Sequence, residues 1–435
     1  MKEYRRFRIL QKQLEKVTSI ICDEKIFAVA SLGGGYWEGD VTYRSFSVVD
    51  SIQVLNYISS SDGLLKYKDI VIFANASISM DNALASIKTI LDSKGINFTK
   101  IFLALVNLET NILYTYVCSL DEIELIDTTS VIGNDVCFYL KPNIESDISD
   151  INIRTQQVFG TKTTNLLSNL TFGIVGISGT GSIVVEQLYR MNVGTLVLVD
   201  DDIVKKENLG RILNSSQKDC EGMKKKTTVQ KEAIERSGLN TKVVDLCTVI
   251  TEENTIRCLS QCDILIGCMD SVDGRHQLNL ISTYYSIPYF DVGVKLKADG
   301  NGGVDEVTTA IHYIIPGESS LYSRGVYNTD SLVAATLLRE NPEEYTKRLE
   351  EKYIIGAHES SPAVIPVNML ASSMAVLEIL ARIHPFREED NVSYEAIRVD
   401  LMVPRIVGQP ITKPCSWFGK NIGVGDISPL LRLIF

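Results

Sequence analysis

From Leu170 onward short apolar runs alternate with amphipathic stretches, and that alternation constrains the fold more than any other feature of the sequence. Phe172–Val175, Thr195–Val199, Thr241–Asp245, Asp263–Cys268 and Tyr289–Val292 read as strands. Ser182–Met191, Thr227–Ser237, Glu253–Gln261 and Arg275–Ser286 carry helical spacing between them. Strands separated by helices predict an α/β fold with a doubly wound, mostly parallel, Rossmann-like sheet. Such a sheet takes a nucleotide at the carboxyl ends of its strands.

The first 150 residues follow a different pattern. Ile26–Ala30, Val41–Val49, Ile70–Ala74, Ile101–Leu105 and Leu113–Val117 read as strands, and Met80–Leu91 as a helix. The triplet Gly33-Gly34-Gly35 is not followed by a helix, so it reads as a loop and not as a phosphate cradle. Pro142–Asp150 is acidic and Ser-rich and reads as a linker. These features predict a smaller α/β or α+β accessory domain over residues 1–150, and a nucleotide-binding domain over 151–435. Residues Asn328–Gly356 read as a charged, solvated helix.

Composition removes several function classes. With 43 Lys+Arg against 54 Asp+Glu, the net charge of −11 lacks the basic balance of a nucleic-acid binder. Runs such as Ile70–Ala74 and Phe172–Ile177 are strand-sized, and the charged N-terminus has no apolar signal core. A cytoplasmic protein, not a membrane protein, is expected. Nine Cys without a CxxC, and only four His, predict neither a disulfide framework nor a zinc site. A metalloprotease of the deubiquitinase type, in its usual form, is excluded for residues 1–150, because they contain no His.

The nucleotide site is expected at Gly176-Ile-Ser-Gly179-Thr180-Gly181-Ser182, between a strand and a helix. Glycine allows a sharp turn and close approach to a phosphate, and the helix N-terminus offers free N–H groups. A Walker A loop would need Lys before Ser182, where Gly181 stands. Asp200 ends the next strand, suited to a ribose. These residues alone fit NAD and ATP equally. Asp202, Asn208, Arg211 and the Lys224-Lys225-Lys226 run then favour a polyphosphate under attack, which needs cations. Asp270 ends a later strand at the same sheet edge, a natural Mg²⁺ ligand. A nicotinamide dehydrogenase would leave Asn208, Arg211 and Asp270 unexplained; an inert nucleotide-binding scaffold or partner-dependent subunit is the other alternative.

The run GISGTGS, then LVLVDDDIVKKENLGR, then Gly222–Lys226 and CMDSVDGR, resembles the ubiquitin-activating-enzyme-like adenylyltransferases, the ThiF/MoeB/HesA group. The resemblance runs from about Arg154 to the C-terminus, and Ser361–Leu380 resembles the family's sheet-closing helix. It implies an enzyme that uses ATP and Mg²⁺ to adenylate the C-terminal carboxylate of a ubiquitin-like protein or peptide. A homodimer and a partner conjugating enzyme follow from the same resemblance. It assigns Asp200 to the ribose, Asn208, Arg211 and a lysine to the phosphates, and Asp270 to Mg²⁺. Helix alignment favours Lys226 and counting from Gly222 favours Lys225. Arg154 resembles an arginine that reaches the phosphates of a second subunit, although it also fits a linker.

Two departures stand out. Many members hold zinc with two CxxC pairs, and here those positions read Ser320-Leu-Tyr-Ser323 and Cys415-Ser-Trp-Phe418, so zinc is not expected. No Cys occurs between Cys268 and Cys415, where thioester-forming members place theirs. The reaction would stop at the acyl-adenylate, or pass to Cys415, to a serine among Ser319, Ser320 and Ser323, or to a partner.

Overall fold

A computed structural model describes residues 4–37, 43–49, 51–58, 69–96, 100–119, 122–142, 150–350, 364–410 and 414–433. The chain forms two compact units. The first comprises Met1–Ile144, Thr283–Ser286 and Lys420–Phe435, and the second Glu145–Ser282 with Ile287–Gly419. The nucleotide-binding part expected to run through 435 therefore differs at its end, because its last residues pack with the first unit. Of the expected linker, residues 143–149 lie outside the described residues.

The first unit is built on β1 (Tyr4–Leu10), β2 (Ala28–Trp37), β3 (Tyr43–Val48), β4 (Gln53–Val54) and β5 (Asp69–Asn75). Its sheet continues with β6 (Lys100–Val106), β7 (Leu113–Ser119), β8 (Ile123–Leu125), β9 (Thr128–Ile132) and β10 (Val136–Leu140). The order is β10-β9-β1-β3-β2-β5-β6-β7-β8, with β4 beside β2. Helices α1 (Gln11–Ile20) and α2 (Met80–Ser93) belong to this unit. Its apolar cores include Phe7, Val48, Phe73 and Phe102, and Val29, Ile72, Ile87 and Leu103.

The Gly33–Gly35 triplet is strand, not loop. A Cβ on Gly33 would overlap the Gly423 carbonyl oxygen, and one on Gly34 would overlap that of Ser45. Gly34 also forms a parallel bridge with Gly425, and its carbonyl accepts from Asp426 N at 2.7 Å. Only residues without side chains let these backbones approach so closely. Strand β1 escaped the sequence reading because its alternate residues Arg6 and Arg8 are polar yet buried. Arg8 donates to the Tyr285 carbonyl at 3.0 Å. The first residues of the expected strand Val41–Val49, Val41 and Thr42, lie outside the described residues.

The second unit opens with α3 (Ile153–Leu167) and then alternates as the sequence predicts. β11 (Thr171–Val175), α4 (Gly179–Arg190), β12 (Thr195–Val199), α5 (Gln217–Glu221) and α6 (Lys226–Ser237) come first. They are followed by β13 (Lys242–Leu246), α7 (Glu253–Leu259), β14 (Ile264–Gly267), α8 (Val272–Tyr285) and β15 (Tyr289–Ala298). The sheet order is β13-β12-β11-β14-β15, all parallel. Its order reverses between β11 and β14, the switch point where doubly wound sheets leave a crevice. Antiparallel β16 (Val304–Ile314), β17 (Ala396–Asp400) and β18 (Arg405–Gln409) extend the far edge.

The charged region after Asn328 forms two helices, α9 (Thr329–Glu340) and α10 (Pro342–Glu350), because Pro342 cannot donate within a continuous helix. Residues 351–356 lie outside the described residues. Helix α11 (Ile365–Ile383) packs against α4 and β15, closing the sheet. Residues 361–363 of its expected span lie outside the described residues. At 19 residues it is long and apolar enough to cross a membrane, a run the sequence reading passed over. It also carries fully buried Glu378 and Arg382, joined at 2.7 Å. Arg382 lies 4.3 Å over the Tyr313 ring, so these charges are satisfied by the fold itself.

Candidate functional site

A cavity of about 1010 Å³ opens at the carboxyl ends of β11, β12 and β14 in the second unit. Ligand pockets span roughly 300–1,000 Å³, so this one has room for a nucleotide and part of a second substrate.

Gly176, Ser178, Gly179 and Thr180 form one wall. Gly176 has φ 89°, a left-handed conformation that suits glycine, and a Cβ there would stand 2.9 Å from the Cys268 carbonyl. Helix α4 begins at Gly179, and its N-cap Ser178 makes no side-chain capping bond. Its first N–H groups are thus left for an anion. Gly181 and Ser182 lie behind this wall, not in the lining. A Cβ on Gly181 would overlap the Gly176 carbonyl oxygen, while Ser182 Oγ accepts from Leu213 N at 3.1 Å. Both residues brace the turn from behind the lining. Gly181→Ala is expected to cost at least about 2 kcal/mol by overpacking. Thermal melts and nucleotide titration check it, with both melting temperature and affinity falling.

Asp200 braces the same turn. Its carboxylate accepts from Ile177 N at 2.7 Å and Asp202 N at 3.0 Å. Lys226 Nζ stands 2.6 Å from Asp202 Oδ2 and 3.6 Å from Asp200 Oδ1. Burial pushes the Asp200 carboxyl up, against the opposing pull of Lys226. Burial also opposes ionisation of Asp202, but its Lys226 hydrogen bond and the charges of Lys226, Lys205 and Lys225 hold it below the usual carboxylate range. Lys226 is buried and lines the cavity. Lys225 instead occupies the N-cap of α6 in extended conformation, and its ammonium donates to the Asp201 carbonyl. Of the two lysines, Lys226 is the one that lines the cavity.

Asn208, buried, lines the cavity and accepts from Lys205 N at 3.0 Å through Oδ1. Arg211 lines it too, anchored by one bond to the Glu207 carbonyl at 3.1 Å. Asp270 is an exposed carboxylate in the lining, near enough to Arg275 to raise its pKa. Its oxygens suit a hard cation such as Mg²⁺. Arg154, on α3, bonds to Gln157 at 3.1 Å and takes no part in this lining.

Several lining residues carry no sequence signal. Asn368 projects from α11 against Gly179, where a Cβ would overlap its amide. Thr248, Val249, Ile250 and Thr251 follow β13. Asp291 on β15, and His312 and Arg324 beyond it, line the side nearest the antiparallel strands.

The positions resembling zinc ligands do not fit the metal. Ser320 Oγ accepts from Ser323 N at 3.1 Å, and Ser323 Oγ from Ser320 N at 3.0 Å. Cys415 is the one thiol among these positions, and neutral hydroxyls committed to backbone N–H groups cannot stand in for thiolates. Nearby, the His276 ring centroid lies 5.8 Å from that of Trp417 and 5.6 Å from that of Phe418. Burial lowers His276 to about 4, against Asp273, and lowers His312 to about 3, helped by Arg324, Arg398 and Arg275. Both folded values lie below the ordinary 6.5, so the unfolded chain binds protons first. Stability is therefore expected to fall as pH drops below about 6.5, before the carboxylates titrate. Denaturant midpoints measured from pH 8 to pH 4.5 check this; a flat profile down to pH 5 contradicts it.

A model described as the ThiF family matches residues 150–409. Ubiquitin-like modifier-activating enzyme 5 of Drosophila willistoni is 26% identical over 167 residues, covering 35% of this chain and 38% of that protein. Adenylyltransferase and sulfurtransferase UBA4 of Meyerozyma guilliermondii is 27% identical over 143 residues, 33% of each. The chain thus spans little more than a third of the length of these relatives. A crystal structure of E. coli MccB with succinimide aligns with TM-score 0.47 at 17% identity, over 65% of this chain and 77% of that one.

Proposed function

Because the chain belongs to the ThiF family, we propose that it adenylates a carboxylate with ATP, the carboxylate being the C-terminus of a ubiquitin-like protein or peptide. One observation carries the reading. The uncapped start of α4, the Asp200–Asp202–Lys226 cluster, Asn208, Arg211 and Asp270 all line a single cavity at the carboxyl ends of parallel strands.

In the reaction, a carboxylate oxygen forms a bond to the α-phosphorus as the bond to the β-phosphate oxygen breaks. The products are acyl-adenylate and pyrophosphate. The chain positions the two reactants and neutralises charge on the phosphate oxygens. The α4 N–H groups, Asn208, Arg211 and Lys226 supply that neutralisation, and Asp202 holds the Lys226 ammonium in place. Asp270 would hold Mg²⁺, which would supply charge neutralisation to the phosphate oxygens. Val249 and Ile250 offer an apolar surface suited to a base.

Cys268 is the one thiol in the lining, and burial pushes its pKa far up, so it is a poor nucleophile. Ser319 accepts from Arg324 at 2.9 Å, and Cys415 is buried. This supports release of the acyl-adenylate to a partner, such as a conjugating enzyme, and not a thioester or oxyester on this chain. The exposure of Arg154, away from its own cavity, supports its reaching the phosphates of a second copy in a homodimer. The free thiols of Cys118, Cys220, Cys258 and Cys268 support a reducing, cytoplasmic setting.

ATP–pyrophosphate exchange by the purified chain with Mg²⁺ tests the proposal. Exchange that depends on a ubiquitin-like protein or peptide with a free C-terminal carboxylate is expected. ATP binding without exchange across such candidates would favour the scaffold reading.

A further inference from the structure

Asp291 lies on β15, beside β14, which Asp270 follows, and its side chain is fully buried in the cavity lining. Its Oδ1 accepts from Arg275 Nε at 3.1 Å and from the Tyr289 hydroxyl at 2.9 Å. Its Oδ2 has no hydrogen-bond partner. A buried carboxylate oxygen without a donor is costly, and such groups in folded proteins call for a specific partner. No donor among the described residues reaches it. Arg324 directs its guanidinium to the Tyr313 and Glu395 carbonyls and to Ser319. His312, paired with Asp291 across β15 and β16, stays neutral and contacts Arg324 at 3.4 Å.

Strand order fixes what part of a substrate meets this oxygen. The phosphate-binding turn follows β11, Asp270 follows β14, and Asp291 lies on β15, one strand farther on. A carboxylate attacking a nucleotide between β11 and β14 brings its own residue against β15. Gly293 and Ala310 pair across β15 and β16 there, with Arg398 next to Ala310 on β17. Arg275, Arg324 and Arg398 crowd the region with positive charge, which disfavours an ammonium and leaves a neutral donor.

We propose that Asp291 is the specificity-determining acceptor for a neutral N–H or O–H donor on the side chain of the residue whose carboxylate is activated. This rests on the adenylation reading above. A hydrogen bond to a charged acceptor corresponds to a preference on the order of 10- to 100-fold over a side chain that lacks the donor.

Saturation-transfer NMR on the full chain with AMP present tests it, using N-acetylasparagine, N-acetylserine, N-acetylalanine and N-acetylaspartate as probes. The asparagine and serine probes are expected to bind about 10- to 100-fold more tightly than the alanine probe, and the aspartate probe weakest. Asp291→Asn presents an amide in place of the bare oxygen and is expected to erase the preference for asparagine over aspartate. Equal binding of all four probes, no binding of any, or an unchanged order in Asp291→Asn would overturn the proposal. If that variant fails to fold, because Arg275 loses its buried counter-charge, the wild-type series decides alone. The adenylation reading fails by a different result, namely no saturation transfer to AMP or ATP.

Discussion

Asp270→Ala is expected to lower Mg²⁺-dependent pyrophosphate exchange at least about 10³-fold while leaving the fold intact, on the scale of losing one dedicated charge-stabilising group. The side chain is exposed at the cavity, where it acts on the charge of Arg275. Exposed substitutions without buried partners stay within about 0.5 kcal/mol. Exchange kinetics and a thermal melt on the same preparation separate the two quantities. Exchange within threefold of wild type would remove Asp270 from the chemistry, and a large melting shift would assign it to the scaffold.

Lys226→Met is expected to reduce both activity and stability, and that contrast is informative. Its ammonium sits 2.6 Å from Asp202 and 3.6 Å from Asp200 at a buried position. Removing it strips a cation from the phosphate site, on the order of 10²–10³ in rate. It also leaves the largely buried Asp200 without a counter-charge, at a cost of about 2–3 kcal/mol; the exposed half of Asp202 limits the loss. Asp202 is lowered in the folded state, so its contribution is present above its unfolded pKa and lost as pH falls through the folded one. Lys226→Met should therefore flatten stability near pH 3–4, relative to wild type. Urea midpoints at pH 7 and pH 3.5 measure it, and an unchanged difference between the two pH values would contradict the pairing.

The parallel half of the second unit was legible because each strand and helix there has its own period, and glycines or charges mark the joints. The glycine turn, Asp200 and Asp270 follow from that period, since strand ends and cavity edge coincide, whereas Asn208 and Arg211 follow from their residue types and the family resemblance. Asp291 was not legible. Its neighbours Tyr289 and Arg275 come from a strand and a helix whose contact no spacing reveals. Asn368 arrives from a helix far along the chain. That Gly181 and Ser182 brace the turn from behind was not legible, because a motif reports which residues a turn needs, not which face of it they occupy. In the first unit, buried arginines on β1 disguised a strand as a charged segment. The glycine triplet likewise resembled a loop, since the backbone it accommodates lies about 390 residues later (Gly423 against Gly33).

That long separation bears on synthesis. The first unit closes around Gly423–Gly425, which meet Gly33 and Gly34, and Lys420 lies 276 residues after Ile144 (420 minus 144). At roughly 5–20 residues per second, the ribosome takes on the order of 15–55 s to cover that stretch. Throughout that interval the nascent chain carries a nearly complete sheet with a bare glycine seam. The part of the protein made first is thus the part finished last.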